Sequence, residues 1–279
     1  MRPSHQPALQ PGVSPVAEPR WTWSVVTAIS LATAIVVSFI GSGALGGTPV
    51  QQVAGGYLSA DATLLAPAGP AFSIWSVIYA GLAVYGIFQL TASGRRSSWA
   101  ATLRTPAVLS ALLNAAWISV VQLGWLGLSV AIIFGLVAVL AWMMAIMRAG
   151  TPSSGLEYWI MWLTFGLYLG WVSVASIANT AAWLLSLGFG VDAAWAPKLA
   201  VALLIVAVLI ALTISFYARN IFAPAAICWG LLWIGVGRLG GANASNLVGI
   251  TALGCAAAVL IGASAIAWHR TSSSKEGSR

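Results

Sequence analysis

Charged residues are scarce in this sequence. Only 6% of its 279 residues are Asp, Glu, Lys or Arg, whereas 60% are hydrophobic, and the mean hydropathy is +0.93. A water-soluble domain needs more polar side chains than this to cover its surface. The composition therefore excludes a soluble globular protein and indicates a chain that is embedded in a lipid bilayer.

Cysteine and histidine are also rare. The two cysteines, Cys228 and Cys255, lie inside apolar runs, and the two histidines are His5 and His269. Two cysteines and two histidines do not suggest a disulfide framework or a metal site. They also leave few groups for acid–base or nucleophilic catalysis. We therefore expect no bound metal, no required cofactor and no enzymatic activity.

Eight charge-free apolar stretches are long enough to cross a bilayer, which requires roughly 20 residues per helix. The weakest is 221–237, which is short and contains Pro224, but proline is tolerated in the first turn of a helix. The sequence thus predicts an all-α, polytopic transmembrane bundle with helices at 24–45, 71–90, 106–123, 126–147, 158–187, 199–218, 221–237 and 246–268.

The twelve basic residues outnumber the five acidic ones, but they are scattered and form no patch for a nucleic acid. They predict orientation instead, because Lys and Arg are retained on the cytoplasmic side. With the N-terminus inside, ten fall in cytoplasmic segments and only Lys198 and Arg238 outside. We expect a bacterial cytoplasmic-membrane protein with both termini cytoplasmic, a disordered leader at 1–23 and a cytoplasmic tail at 269–279.

The sequence contains fifteen tryptophans, which is an unusually large number. Indole rings collect at the membrane–water interface, and this belt explains the tryptophans that lie near predicted helix ends. It does not explain Trp75, Trp117 and Trp171, which lie deeper in their helices. The residues assigned to the belt are Trp21, Trp23, Trp99, Trp125, Trp159, Trp183, Trp195 and Trp268.

The fifth predicted helix concentrates aromatic, small and amide side chains on one face. At about 100° per residue, Tyr168, Trp171, Ala175 and Asn179 fall within an arc of roughly 120°. Helix packing is one explanation, since small residues permit close approach and an asparagine can form a hydrogen bond across the interface. For Asn179 alone the two explanations are equally good. The whole arc favours a concave aromatic binding site.

Two other helices carry similar pairs. Asn114 and Trp117 are three residues apart on the third helix, and Trp75 and Tyr79 are four apart on the second, so each pair shares a face. The predicted topology places Trp75, Trp117 and Asn179 in the outer half of the membrane and Trp171 near its midplane. The exterior loop 46–70 lies where it can cover them as a lid.

These motifs, in this order, resemble the translocator protein or tryptophan-rich sensory protein (TspO/MBR) family. The second helix carries W-x-x-x-Y at Trp75 and Tyr79, and the third carries L-N-x-x-W from Leu113 to Trp117. The most specific match is Y-L-x-W-V-x-x-A-x-x-x-N, from Tyr168 to Asn179. The sequence departs from the family at Leu167, where a proline is usual, and before helix two, where "LLAPAGPAF" lacks the usual tryptophans.

The resemblance implies a five-helix unit at 24–187, which is the family's whole fold. Three further helices at 188–268 lie outside that pattern, so the chain looks like a longer, divergent member. The resemblance also implies a planar hydrophobic ligand, either a tetrapyrrole such as protoporphyrin or haem, or a sterol-like molecule. The ligand-binding residues that it implies are Trp75, Tyr79, Asn114, Trp117, Tyr168, Trp171, Ala175 and Asn179.

Two functions remain open at this point. The first is a membrane sensor or receptor for a hydrophobic ligand, and the second is an uncoupled carrier of such a molecule. Ion coupling is disfavoured, because no Asp, Glu, Lys, Arg or His lies inside a predicted span. The expected partners are the bilayer, the ligand and, as an alternative to a monomer, a second copy in a homodimer. The three extra helices are expected to pack against the five-helix unit without forming the pocket.

Overall fold

The computed structural model describes residues 21–43, 48–241 and 243–276, with side chains described as far as His269. Most of the predicted leader, residues 1–20, lies outside this part of the chain. The first helix begins at Trp21, so the last three residues assigned to the leader are helical. The last helix continues through most of the predicted tail, to Glu276.

Eight long helices form the described structure, and within the described residues there is no β-strand. All eight are long and apolar enough to span a bilayer, which confirms the predicted all-α bundle and each predicted span, including the short seventh one. The chain is an integral, multi-pass membrane protein. The helices are α1 (Trp21–Gly41), α2 (Ile74–Leu90), α3 (Ser98–Gln122), α4 (Leu126–Ala149), α5 (Gly155–Ser186), α6 (Ala196–Ala218), α7 (Phe222–Leu239) and α8 (Asn246–Glu276).

Local sequence signals fix where several helices begin. The Ser97 hydroxyl accepts a hydrogen bond from the Ala100 amide at the start of α3. The Ser154 hydroxyl accepts one from the Glu157 amide at the start of α5. Such caps satisfy amides that have no partner inside the helix. Pro224 lies in the first turn of α7, as predicted, where it interrupts no helical hydrogen bond.

Helix α5 is the centre of the bundle. Of its apolar segment 72% is buried, whereas the other spans are 22–50% buried. One side of α5 packs against α2 and α4, which with α1 and α3 enclose the first hydrophobic core. Its other side packs against α7, which with α6 and α8 encloses a second core.

The crossing of α5 and α7 depends on glycine. A Cβ atom added at Gly170 would lie 2.8 Å from the Cβ of Ala226, and one at Gly230 would lie 2.8 Å from a methyl of Val174. Without a side chain at either glycine, the two backbones approach closely enough for extensive van der Waals contact. Small residues at such crossings are the usual basis of helix packing in membranes.

The helices are longer than the apolar stretches that predicted them, and the added turns carry charge. Arg104, Glu157 and Arg238 lie within α3, α5 and α7, and all three are buried. This corrects the expectation that the spans contain no charged residue. Arg104 donates hydrogen bonds to the Gln89 side chain (2.7 Å) and the Gly94 carbonyl (3.1 Å). Each buried charge lies near a helix end and has polar partners, which offset its desolvation.

The interfacial belt is largely as expected. Six of the eight assigned tryptophans are about half exposed or more, and Trp183 is partly buried. Trp99 is the exception, because only 3% of it is exposed. Its indole ring covers Gly150, where any side chain would collide with it. Trp99 is therefore a packing residue between the start of α3 and the end of α4.

Candidate functional site

Six of the eight residues implied as ligand contacts line one pocket. It lies between α2, α3, α4 and α5, at the end of the bundle that carries residues 48–73, here called the lid loop. The cavity has a volume of about 50 Å³ and is mainly apolar. The predicted residues that line it are Trp75, Asn114, Trp117, Trp171, Ala175 and Asn179.

Trp75 is the centre of an aromatic cluster. It stacks on Tyr79, with ring centroids 5.2 Å apart, as their spacing along α2 predicts. It also meets Tyr168 and Trp171 of α5 edge to face, at 5.9 and 6.4 Å. These are favourable geometries for aromatic pairs. Residues more than 90 positions apart in the sequence thus form one aromatic wall.

Tyr79 and Tyr168 lie beside the pocket and do not line it. Tyr79 faces an adjacent cavity of about 240 Å³, which shares Trp75, Asn114 and Trp117 with the first one. Ser38 and Asn114 line the same cavity as Tyr79. Tyr168 is fully buried and supports Trp75 from the side.

Both asparagines connect neighbouring helices. The Asn179 amide donates a hydrogen bond to the Ser129 hydroxyl on α4 (2.9 Å), and the Asn114 amide donates one to the Ser38 hydroxyl on α1 (2.8 Å). The hydrogen bond from Asn179 to Ser129 agrees with the helix-packing explanation of Asn179. The same two residues also line the pocket, so packing and ligand contact do not exclude each other.

Several polar atoms around the pocket have no hydrogen-bond partner. The indole N–H groups of Trp117 and Trp171 are buried and unpartnered, and so are the hydroxyls of Thr63 and Tyr168. Trp117, Trp171 and Thr63 line the cavity. Buried donors in proteins are nearly always paired, so unpaired ones around a cavity indicate a place where a bound molecule can supply the acceptors.

The lid loop covers the aromatic cluster, as proposed for loop 46–70 from the sequence. It contributes Val50, Tyr57, Leu58, Thr63, Ala66, Pro67 and Phe72 to the pocket lining. Phe72 also meets Trp171 edge to face at 5.7 Å. These contacts were not predicted from the sequence, although "PAFSIW" places Phe72 three residues before Trp75, in the 3-10 turn Gly69–Ser73 that leads into α2, where the two residues share a face.

Helix α7 holds the lid loop in place from behind. The Trp229 indole donates a hydrogen bond to the Ala71 carbonyl (2.9 Å), and the Trp233 carbonyl accepts one from the Ala68 amide (3.1 Å). No residue after 187 lines the pocket among the described residues, in agreement with the expectation for the extra helices. The C-terminal helices nevertheless position the loop that does line it.

Arg238 provides a third attachment between α7 and the lid loop. Its buried guanidinium donates hydrogen bonds to the Ala60 carbonyl (2.7 Å) and to the Asn243 carbonyl (3.1 Å). It lies 3.9 Å from the half-exposed carboxylate of Asp61. Charge-assisted hydrogen bonds of this kind are among the stronger polar contacts in a fold. Arg238 therefore anchors the middle of the lid loop to the end of α7.

The fold and the pocket define a class of protein, a polytopic helical membrane protein with an aromatic pocket beneath a structured loop. The family model described as TSPO-like protein matches residues 24–265, so the chain belongs to that family. No curated protein and no solved structure matches the chain. The matched range continues through α6, α7 and most of α8. This family model therefore includes most of the three additional helices together with the five-helix unit.

Proposed function

We propose that this protein is a membrane sensor or receptor that binds a planar hydrophobic ligand in the aromatic pocket beneath the lid loop. The ligand class is a tetrapyrrole such as protoporphyrin or haem, or a sterol-like molecule. The protein acts by binding and not by catalysis. We further propose that the pocket faces the outside of a bacterial cytoplasmic membrane, with both termini in the cytoplasm.

The observation that carries this proposal is the composition of the pocket wall. Trp75, Trp117 and Trp171 offer ring faces and edges to a flat molecule, and two of their three N–H groups lack a partner. Apolar walls with a few well-placed polar groups are typical of small-molecule sites. The unpaired donors suit a ligand that carries carboxylate, carbonyl or hydroxyl oxygens at its edge.

The size of the pocket requires the lid loop to move. A cavity of about 50 Å³ is far smaller than the roughly 300–1,000 Å³ that small-molecule sites occupy. The adjacent cavity of about 240 Å³ is separated from it by shared side chains, including Trp75 and Trp117. Rotation of these rings and displacement of the lid loop would join the two spaces.

A receptor is favoured over a carrier because the core between α2, α4 and α5, on the far side of the pocket from the lid loop, is filled by buried side chains. Tyr85, Leu140, Met143 and Phe165 are completely buried there, and the rings of Tyr85 and Phe165 meet at 5.0 Å. A carrier must open its site to both sides of the membrane in turn. Uptake of porphyrin into vesicles that contain the protein distinguishes the two, since a receptor saturates at one ligand per chain without continued flux.

Tryptophan fluorescence gives the first test of binding. The purified protein is titrated with protoporphyrin, haem, a sterol and a carotenoid. We expect saturable quenching by at least one planar compound, because the pocket tryptophans would lie in contact with it. Quenching that rises linearly with every compound would indicate partition into the detergent and contradict the proposal. The expectations of no metal, no required cofactor and no nucleic-acid partner stay predictions, and so does the homodimer as an alternative to a monomer.

A further inference from the structure

A second cavity lies beside the aromatic pocket, and the C-terminal helices help to build it. It has a volume of about 180 Å³ and is enclosed by α4, α5, α6 and the turn between α5 and α6. Its walls are almost entirely apolar, and no residue of the aromatic cluster reaches it. Most of its lining residues are aliphatic, among them Leu64, Ile177, Ala181, Leu184, Val191 and Leu203, and three are half-exposed aromatic residues, Phe134, Phe189 and Trp195.

The two cavities are neighbours under the same segment of the lid loop. Thr63 lines both of them, is 3% exposed, and has a buried hydroxyl without a partner. On α5, Ala178 faces the first cavity and the preceding residue, Ile177, faces the second. Thr63 thus stands at the boundary between an aromatic compartment and an aliphatic one.

The aliphatic cavity also reaches the surface that faces lipid. Phe134 on α4 and Leu199 on α6 line it and are 51% and 41% exposed. A flexible hydrocarbon chain in this cavity can therefore extend towards the bilayer. Filling the cavity is favourable, because its walls otherwise lack van der Waals partners.

We propose that the ligand of the aromatic pocket is a flat ring with a hydrophobic tail, and that the tail occupies the aliphatic cavity. This inference rests on the proposed function. The Thr63 hydroxyl lies where ring and tail join, so it can donate a hydrogen bond to an oxygen at that junction. We assign the tail to the ligand and not to a bilayer lipid, because Thr63 lines both cavities and the consecutive residues Ile177 and Ala178 line one each.

Two naphthoquinones test this pairing. Menadione is the ring without a tail, and a menaquinone is the same ring with an isoprenoid tail. We expect the wild-type protein to bind the menaquinone at least about ten-fold more tightly, since two or more buried methylene groups account for such a factor. Quenching titrations at constant detergent concentration give both dissociation constants.

A matched pair of variants on α5 locates the tail. Ala181→Phe fills the aliphatic cavity, whereas Ala175→Phe fills the aromatic pocket. We expect Ala181→Phe to abolish the advantage of the menaquinone and to leave menadione binding within about two-fold, which also shows that the variant is folded. Ala175→Phe should weaken both compounds. Leu203→Phe, which fills the same cavity from α6, should repeat the effect of Ala181→Phe.

The outcomes separate this inference from the proposed function. An unchanged ratio of the two affinities in Ala181→Phe would overturn the tail assignment and leave the cavity to a bilayer lipid. Binding of protoporphyrin without binding of either naphthoquinone would overturn it too, while the proposed function would stand. If no planar compound binds the wild-type protein, the proposed function itself fails.

Discussion

The side-chain amide of Asn179 donates a hydrogen bond of 2.9 Å to the hydroxyl of Ser129 on the neighbouring helix α4. The same hydroxyl lies 3.3 Å from the carbonyl oxygen of Asn179. This pair ties α4 to α5 at the wall of the aromatic pocket, which Asn179 lines and Ser129 does not. The two residues can therefore be used to separate the packing role of the amide from its contact with a ligand.

Substitution of either partner should have the same effect on stability but not on binding. Asn179→Ala and Ser129→Ala each remove the tie, which costs about 0.6 kcal/mol in membrane proteins. Only Asn179→Ala also removes a polar group from the pocket wall, so we expect it alone to lower the affinity for protoporphyrin. Thermal unfolding in detergent and fluorescence quenching measure the two effects. Equal affinities in the two variants would mean that Asn179 acts only in packing.

Trp171 is best tested by removing its N–H group. The ring is 1% exposed, so Trp171→Ala would cost about 3–5 kcal/mol and would confuse stability with binding. Trp171→Phe keeps an aromatic ring and deletes a donor that has no partner in the described structure. We expect a smaller loss of stability and a several-fold weaker affinity for ligands that carry acceptor oxygens. If a ligand without such oxygens is weakened equally, the N–H group is not a contact.

Arg238 should control the mobility of the lid loop. Arg238→Gln removes the charge that pairs with Asp61 and the hydrogen bond to Ala60, a charged contact worth about 1.5–3 kcal/mol. We expect cleavage by chymotrypsin after Tyr57 or Leu58 to become several-fold faster. Lys198→Gln is the control, because Lys198 is exposed at the same end of the bundle. Equal cleavage rates in the two variants would mean that Arg238 does not hold the loop.

Substitution by alanine should have opposite effects on stability at Gly170, which lies at the crossing of α5 and α7, and at Gly254 on α8. Gly170→Ala places a methyl group against the backbone of Ala223 and the side chain of Ala226, and such overpacking costs about 1–3 kcal/mol. Gly254→Ala on α8 meets no atom within 4 Å and replaces glycine with a better helix former. Thermal unfolding should show a lower midpoint for the first variant and an unchanged or higher one for the second. A neutral Gly170→Ala would show that the helices cross less closely.

The predicted orientation can be tested with reporters. We expect a cytoplasmic reporter at the C-terminus to be active, since ten of twelve basic residues fall on that side. A cysteine introduced by Ser59→Cys in the lid loop should react with a membrane-impermeant reagent added from outside. The native cysteines, Cys228 and Cys255, lie within helices α7 and α8 and provide the background control. An active periplasmic reporter at the C-terminus would reverse the orientation.

The sequence was sufficient to predict the spans and most of the aromatic site. Helical periodicity identifies the face of each helix on which Trp75, Trp117 and Trp171 lie. The alternating topology places the matching parts of these three helices on the same side of the membrane, so the three rings come together. Helix boundaries were predicted less well. Capping serines extend α3 and α5 past the apolar runs, so Arg104 and Glu157 became part of helices that were expected to be uncharged.

The contribution of the lid loop and of α7 could not be predicted. A loop has no periodicity that shows which of its side chains face inward, so the sequence does not indicate that Thr63 is a pocket residue. Trp229 and Trp233 are four residues apart and predictably share a face of α7, where their rings meet at 5.5 Å. Their attachment to the lid loop depends on contacts between positions more than 150 residues apart, which local patterns do not encode.

The central claim is that a planar hydrophobic molecule binds between Trp75, Trp117 and Trp171. The most direct measurement is a protoporphyrin titration of three proteins, the wild type, Ala175→Phe and Ala257→Phe, followed by tryptophan quenching. Ala175 lines the pocket, whereas Ala257 on α8 is exposed to lipid, so both variants add the same bulk in different places. We expect saturable one-to-one quenching in the wild type and in Ala257→Phe, and at least about ten-fold weaker binding in Ala175→Phe. Equal saturable binding by all three proteins would place the ligand elsewhere and contradict the account.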